Sequence, residues 1–223
     1  MASRKSTFAL PMLLLGITFA PLVKANSFSF IGTFQQDDNV QLFGFTVAAP
    51  SAVTVETWSY GGGVDALGQT IPRGGFAPVL SLFSSSGTLI DFTVAGSCPP
   101  GNLDVVTGLC GDASLTGTLG SGSYLLAVTE YFNIPNGLNL ADGFLESGAG
   151  NFTGPLLCGV QGGFLDSGCD RRNDNFEVDV IGAATAAAVP EPASIWMLGL
   201  ALIGFTVPAL AKVRRRGRAL LQK

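Results

Sequence analysis

Four cysteines, sixteen carboxylates and no histidine set the chemistry open to this 223-residue chain. Without histidine, neither a Ser-His-Asp nor a Cys-His nucleophile can be assembled. The lysines are Lys5, Lys24, Lys212 and Lys223, all near the ends, so the body has no Ser-Lys dyad or Schiff-base lysine. No Gly-Lys-Ser/Thr follows the glycines, which excludes a phosphate loop. Paired carboxylates remain, and a glycosidase needs two of them about 5–9.5 Å apart. Glu130, Asp142 and Glu146 are the candidates, but scattered acids in a body of this kind read as turn and solvent-face residues, and no enzyme is expected. Asp37-Asp38-Asn39 and the stretch from Asp170 to Asp179 are oxygen-rich. That makes Asp37, Asp38, Asp170 and Asp174 weak calcium candidates. Neither stretch follows a calcium-loop pattern, and turn chemistry with an acidic face is the preferred reading. No cofactor is otherwise expected. Zinc is disfavoured because the chain has neither histidine nor a Cys-x-x-Cys pair.

The two ends read as addresses. Arg4 and Lys5 open a basic segment, Thr7 to Ala20 are apolar, and Val23-Lys24-Ala25 has the spacing that signal peptidase reads. Residues 1–25 are therefore expected to be a signal peptide, cut between Ala25 and Asn26. Near the other end, Val189-Pro190-Glu191-Pro192 precedes an uncharged run from Ala193 to Ala211. A helix there, at about 1.5 Å per residue, would extend roughly 28 Å, the depth of a bilayer core. Lys212, Arg214, Arg215, Arg216 and Arg218 follow at once. The positive-inside rule puts that end in the cytoplasm and the body across the membrane.

Export decides how the cysteines are read, since an oxidising compartment favours disulfides. Cys98–Cys110 and Cys158–Cys169 are the favoured pairs, each closing a small Gly/Pro/Asp-rich loop. Each adds about 2–3 kcal/mol by restricting the unfolded chain. Between Asn26 and Ala188 only Arg73, Arg171 and Arg172 oppose fifteen carboxylates, so the body carries −12 where the whole chain carries −4. Nucleic acid and anionic membrane surfaces are poor partners for that charge. Solubility, or a cation, suits it better.

Any of these groups must be positioned by strands. The body shows short alternating segments between Gly, Asn, Asp, Ser and Pro turns, with almost no helical period. Strands are expected over 28–34, 40–47, 52–60, 78–83, 88–94, 115–119, 124–131 and 176–181. In the last, Phe176, Val178 and Val180 face the core, which sends Asn175, Glu177 and Asp179 outward. Trp58 and Tyr60 share a strand face; buried they are core, exposed they would stack on sugar rings, and core is the expectation. Leu119-x-x-Gly122-x-Tyr124 has the form of a corner tied by a tyrosine hydroxyl. Asn151-Phe152-Thr153 fits a glycosylation pattern and reads as chance.

Two resemblances attach to these residues. The Val-Pro-Glu-Pro-Ala-Ser lead, the apolar run and the Arg-rich end resemble a PEP-CTERM sorting tail over 189–223. That resemblance implies a Gram-negative host that makes exopolysaccharide, and an exosortase-type processing enzyme. The segments at 32–40, 43–47, 77–83, 122–129 and 175–180 resemble bacterial β-sandwich domains related to the pre-peptidase C-terminal type, which implies a jelly-roll-like accessory module. The expected protein is thus all-β: a two-sheet jelly-roll-like sandwich over 26–181, an Ala-rich linker over 182–188, and the tail with a transmembrane helix over 193–211. It would pass through an inner-membrane intermediate with its body in the periplasm, then reach the cell surface or an exopolysaccharide-containing matrix as a non-catalytic component. A carbohydrate-binding module, with or without calcium, is the alternative.

Overall fold

The computed structural model describes residues 26–190. Both terminal address segments, Ala25 and the chain from Glu191 onward, lie outside the described residues. The body is all-β. Its strands are β1 (Asn26–Thr33), β2 (Gln41–Val47), β3 (Ser51–Thr57), β4 (Gly63–Val64), β5 (Thr70–Ile71), β6 (Pro78–Ser84), β7 (Leu89–Thr93), β8 (Ser114–Leu119), β9 (Gly122–Glu130), β10 (Asn175–Ala183) and β11 (Thr185–Val189). A 3-10 turn at Leu140–Asp142 and a π turn at Gly154–Cys158 are the helical pieces among the described residues.

Alternation sets which side of each strand is buried. Phe43, Phe45 and Val47 of β2, Val53 and Val55 of β3, Leu126 and Val128 of β9, and Phe176, Val178 and Val180 of β10 all enter one core. Those residues come from two different sheets. One has the order β1-β10-β3-β8 and the other β11-β2-β9-β6-β7, so the sheets bury their apolar faces against each other. The small β4-β5 ribbon stands apart. On the outer face of the larger sheet, Phe83 and Ala127 pack against Phe144 from the long β9–β10 connection. That explains why β6 and the Tyr124–Val128 part of β9 read as nearly continuous apolar runs: both are covered on two sides.

The ladders place both ends of every long connection at one pole. Thr33 pairs with Asn175, Thr57 with Val178 and Glu56 with Ser114. In the other sheet Gln41 pairs with Val128, Pro78 with Glu130, Leu80 with Thr93 and Leu42 with Val189. The connections 34–40, 58–77, 94–113 and 131–174 therefore start and finish at the same end as Val189. The short turns at 48–50, 85–88 and 120–121 occupy the opposite end together with Ala184, and the β9–β10 connection runs down to them, where Leu140 N donates to the Gly87 carbonyl and the Leu138 carbonyl accepts from Leu89 N. At that end the Tyr124 hydroxyl donates to the Gly120 carbonyl at 2.9 Å, the expected tied corner.

One boundary differs from expectation. Residues 182–188 are not a linker, and the folded body does not stop at 181. Gly182 and Ala183 finish β10, and after Ala184 the chain pairs again as β11 along the edge of β2. Gly182 permits the change of sheet: its φ is 93°, and a Cβ there would collide with the Ala52 carbonyl oxygen. Alanines carry little hydrophobic signal, so in sequence they resemble a spacer. An edge strand needs little, since its ladder bonds come from the backbone.

Candidate functional site

The pole of long loops is where functional groups can collect, and buried carboxylates organise it. Asp112 is the centre. Its Oδ1 accepts from Thr57 Oγ1 at 2.9 Å, Ser59 N at 2.6 Å and Tyr60 N at 3.0 Å. Its Oδ2 accepts from Gly61 N at 2.8 Å and Asn102 Nδ2 at 2.9 Å. Burial pushes this carboxyl up against the pull of those donors. Asp37 plays the same part for the β9–β10 connection, accepting from Phe152 N, Thr153 N, Thr153 Oγ1 and Phe164 N. Asp166 accepts from the Tyr60 hydroxyl at 2.7 Å and from Gly168 N and Asp170 N.

Two arginines complete the framework. Arg73 grips Asp104 with two bonds of 2.8 and 2.9 Å, while Val106 N, Thr107 N and Thr107 Oγ1 donate to the same carboxylate. Burial alone would raise the Asp104 carboxyl, but these donors hold it below its ordinary value. Arg172 is buried, donates to the Gly75 and Tyr60 carbonyls, and lies 3.5 Å from the Tyr60 ring centroid. Gly111 lies against the same ring, where a Cβ would not fit.

A second group of acids sits on the outer side of the smaller sheet. Glu177 and Asp179 were expected to face solvent, but both are fully buried. They do point away from the sandwich core; the segment after β3 covers them. Trp58 N donates to Glu177 Oε2 at 3.2 Å. Asp179 Oδ2 takes Trp58 Nε1 at 3.1 Å and Ala66 N at 2.7 Å, and Asp179 Oδ1 takes Ser29 Oγ. Glu177 Oε1 and Asp65 Oδ2 have no partner. Burial, with the charges of Asp179 and Asp65 beside it, pushes Glu177 up to about 10.

The body's negative charge is therefore not a solvent face. Nine of its acids are buried, namely Asp37, Asp38, Asp65, Asp104, Asp112, Glu130, Asp166, Glu177 and Asp179. Most accept hydrogen bonds from loop backbone.

The residues singled out from sequence are distributed as follows. The disulfides are Cys98–Cys110 and Cys158–Cys169, as expected. Trp58 and Tyr60 form no exposed platform: Tyr60 is buried under Arg172, and half-buried Trp58 lies over Gly63. Of the calcium candidates, Asp37 is bonded to its loop, Asp38 Oδ2 accepts from Gly150 N, and Asp170 and Asp174 are exposed elsewhere. Among the described residues no group of three or more Asp, Glu, His or Cys is placed to hold a metal ion.

The three glycosidase candidates do not converge. Glu130 is buried with both oxygens unpartnered and its carboxyl held well above the ordinary value by burial and by Asp37. Asp142 is exposed and caps the 3-10 turn through Asn139 N. None of the three lines the hollow of about 160 Å³ between Tyr60, Tyr131 and Asp166, or the cleft of about 310 Å³ beside Phe30, Phe43 and Ala188. Thr153 of the glycosylation-like triplet is fully buried on Asp37.

Sequence patterns do not single out Asp104, Asp112, Asp166 or Arg172. Asp104 had a local signal, since Val106 and Thr107 lie at Asx-turn spacing. Asp112 had none, because its β3-side donors are 51 to 55 residues away.

The sorting residues meet the fold at one point. Val189 ends β11 paired with Leu42, and Pro190 is exposed immediately after it. Glu191, Pro192, Lys212, Arg214, Arg215, Arg216 and Arg218 lie outside the described residues, as does Ala25. Asn26 begins β1 at the opposite pole, paired with Ala183.

Comparison with known proteins bears on that junction. No curated protein matches the chain. Among solved structures, the pre-peptidase C-terminal domain of a collagenase from Bacillus anthracis is similar at 10% identity and a TM-score of 0.32, over 72% of this chain and 89% of that one. The family profile that matches is the PEP-CTERM protein-sorting motif, at residues 188–216, beginning inside β11. The chain carries a PEP-CTERM protein-sorting motif at its C-terminal end.

Proposed function

We propose that this protein is an exported, non-catalytic jelly-roll module that an exosortase-type enzyme processes at its tail and that ends on the cell surface or in an exopolysaccharide-containing matrix. Its role there is presentation and adhesion. The observation that carries this reading is the sorting motif joined directly to the last strand of the folded body. The interleaved strand order of the two sheets supports the jelly-roll assignment. The hydrogen bonding of Asp37, Asp104, Asp112 and Asp166 to loop donors supports a non-catalytic role, since those groups are committed to structure. A signal peptide cut before Asn26 and a membrane helix over 193–211 complete the route.

The test is mass spectrometry of the exported protein from cells with and without the exosortase. A mature N-terminus at Asn26 is expected in both. Loss of the residues beyond the Pro190-Glu191-Pro192 region is expected only where the enzyme is present. An intact tail in both strains would refute the processing route.

A further inference from the structure

The pole that emits the tail also carries exposed aliphatic side chains on both disulfide-braced loops. In the 94–113 connection, Val105 is 87% and Val106 71% exposed, with Leu103 and Leu109 beside them also exposed. Leu156 and Val160, flanking Cys158 in the other loop, are 54% and 50% exposed. Side chains of this kind normally turn inward, and clusters left outside mark contact surfaces. Here the loop is held so that they stay out. The Cys98–Cys110 bridge closes its base. Inside, the buried Asp104 carboxylate takes Arg73 and the amides of Val106 and Thr107, fixing the backbone that presents both valines.

The tether limits what this pole can face. Only Pro190, Glu191 and Pro192 separate paired Val189 from the apolar run that starts at Ala193. Four Cα steps extend at most about 14 Å. With the run inserted, the end of β11 is thus held within a headgroup layer's depth of the hydrocarbon. The loop carrying Val105 leaves from β7, the opposite edge of the same sheet from β11. Four strand spacings of about 4.8 Å set these two points roughly 19 Å apart across the pole.

We infer that this pole lies flat on the bilayer during the tail-anchored stage, with the tether at one side and Val105, Val106, Leu156 and Val160 as its lipid contacts. The inference rests on the tail being membrane-inserted, as proposed above. The contact is apolar: the exposed charges near these loops, Arg73, Asp170, Arg171 and Asp174, are of mixed sign and cancel, so anionic lipid is not required. Release of the tail removes the tether and frees the same surface.

The full chain in phosphatidylcholine vesicles, with and without phosphatidylglycerol, tests this by hydrogen exchange and mass spectrometry. Resistance to alkaline carbonate extraction reports tail insertion separately. Peptides covering 103–109 and 155–160 are expected to exchange several-fold more slowly than in a variant with a twenty-residue Gly-Ser spacer after Val189. The turn at 85–88 is expected to be equal in both. The pair Val105→Ser and Val106→Ser, which touches no core residue, should release the 103–109 protection without altering carbonate resistance. A resistant tail with equally fast exchange in both spacings refutes the docking while leaving the anchor intact. An extractable tail refutes both. Protection that fades as protein density in the vesicles falls would assign the surface to contacts between copies and overturn the lipid assignment. Protection seen only with phosphatidylglycerol would overturn the apolar account.

Discussion

Replacing Glu177 by Gln should stabilise this protein at neutral pH and remove much of its pH dependence. Glu177 is fully buried, one oxygen has no partner, and its carboxyl is raised from 4.5 to about 10 by burial, Asp179 and Asp65. Above pH 4.5 the unfolded chain releases this proton while the folded chain keeps it. The stability from Glu177 is therefore full below pH 4.5 and is lost progressively as pH rises toward 10. At about 1.4 kcal/mol per pH unit, the loss reaches about 3 kcal/mol at pH 7. Gln keeps the shape, still accepts from Trp58 N, and directs an amide toward the carboxylate of Asp179. Urea unfolding of the full chain in non-ionic detergent, with Trp196→Phe in both proteins so that Trp58 alone reports, measures it by fluorescence from pH 4.5 to 8. Wild type and Glu177→Gln should coincide near pH 4.5 and separate to about 3 kcal/mol at pH 7, with the variant more stable. A constant difference across that range, or a less stable variant at pH 7, would refute the buried, protonated Glu177.

Three other outcomes follow from the same geometry. Asp112→Ala leaves the amides of Ser59, Tyr60 and Gly61 without their acceptor, and should cost about 3–5 kcal/mol in urea unfolding. Replacing Cys98 and Cys110 together by Ser should cost about 2–3 kcal/mol and speed proteolysis between residues 98 and 110, read by peptide mapping. Ala187→Pro removes a backbone donor from β11 opposite Gly44, loosening the strand that holds Pro190 against the fold. Pulse-chase labelling should then show faster tail cleavage; an unchanged rate would mean that β11 does not restrict the processing enzyme.

Carboxylates of this kind invert a common reading of composition. A body with three cations and fifteen anions suggests a solvated acidic surface. Here most of those anions act as acceptors inside the loops. The connections 58–77 and 131–174 bury Tyr60, Phe76, Phe144 and Phe152, and charged acceptors taking several amide donors each add to their cohesion. Charge-assisted bonds of this type tie segments that share no ladder.

Much of the framework was legible because it is local. Period-two alternation and the turns between segments located eight strands within a few residues, as in Gln41–Val47 and Ser51–Thr57. The Gly120 and Tyr124 spacing identified the tied corner, and cysteine spacing identified both disulfides. Alternation failed at Glu177 and Asp179 for a definable reason. It tells which side of a strand a residue takes, but not whether a distant segment covers that side. Their cover, Trp58 and Ala66, lies more than a hundred residues earlier. The same limit hid Asp112 and Asp37, whose backbone donors lie more than fifty and more than a hundred residues away in a chain order that carries no record of the pairing.

By itself, then, the sequence determined the all-β character, the disulfides and the sorting motif at 188–216, because each is written in contiguous or closely spaced residues. Tertiary structure decided that β11 reaches to Val189 and leaves no linker, since an alanine-rich strand is specified by the free edge of β2 and not by its own side chains. It also decided that the tail and both ends of every long connection share one pole, because that follows from strand order across two sheets. Local chemistry wrote the address; long-range pairing chose which face of the domain the address is attached to.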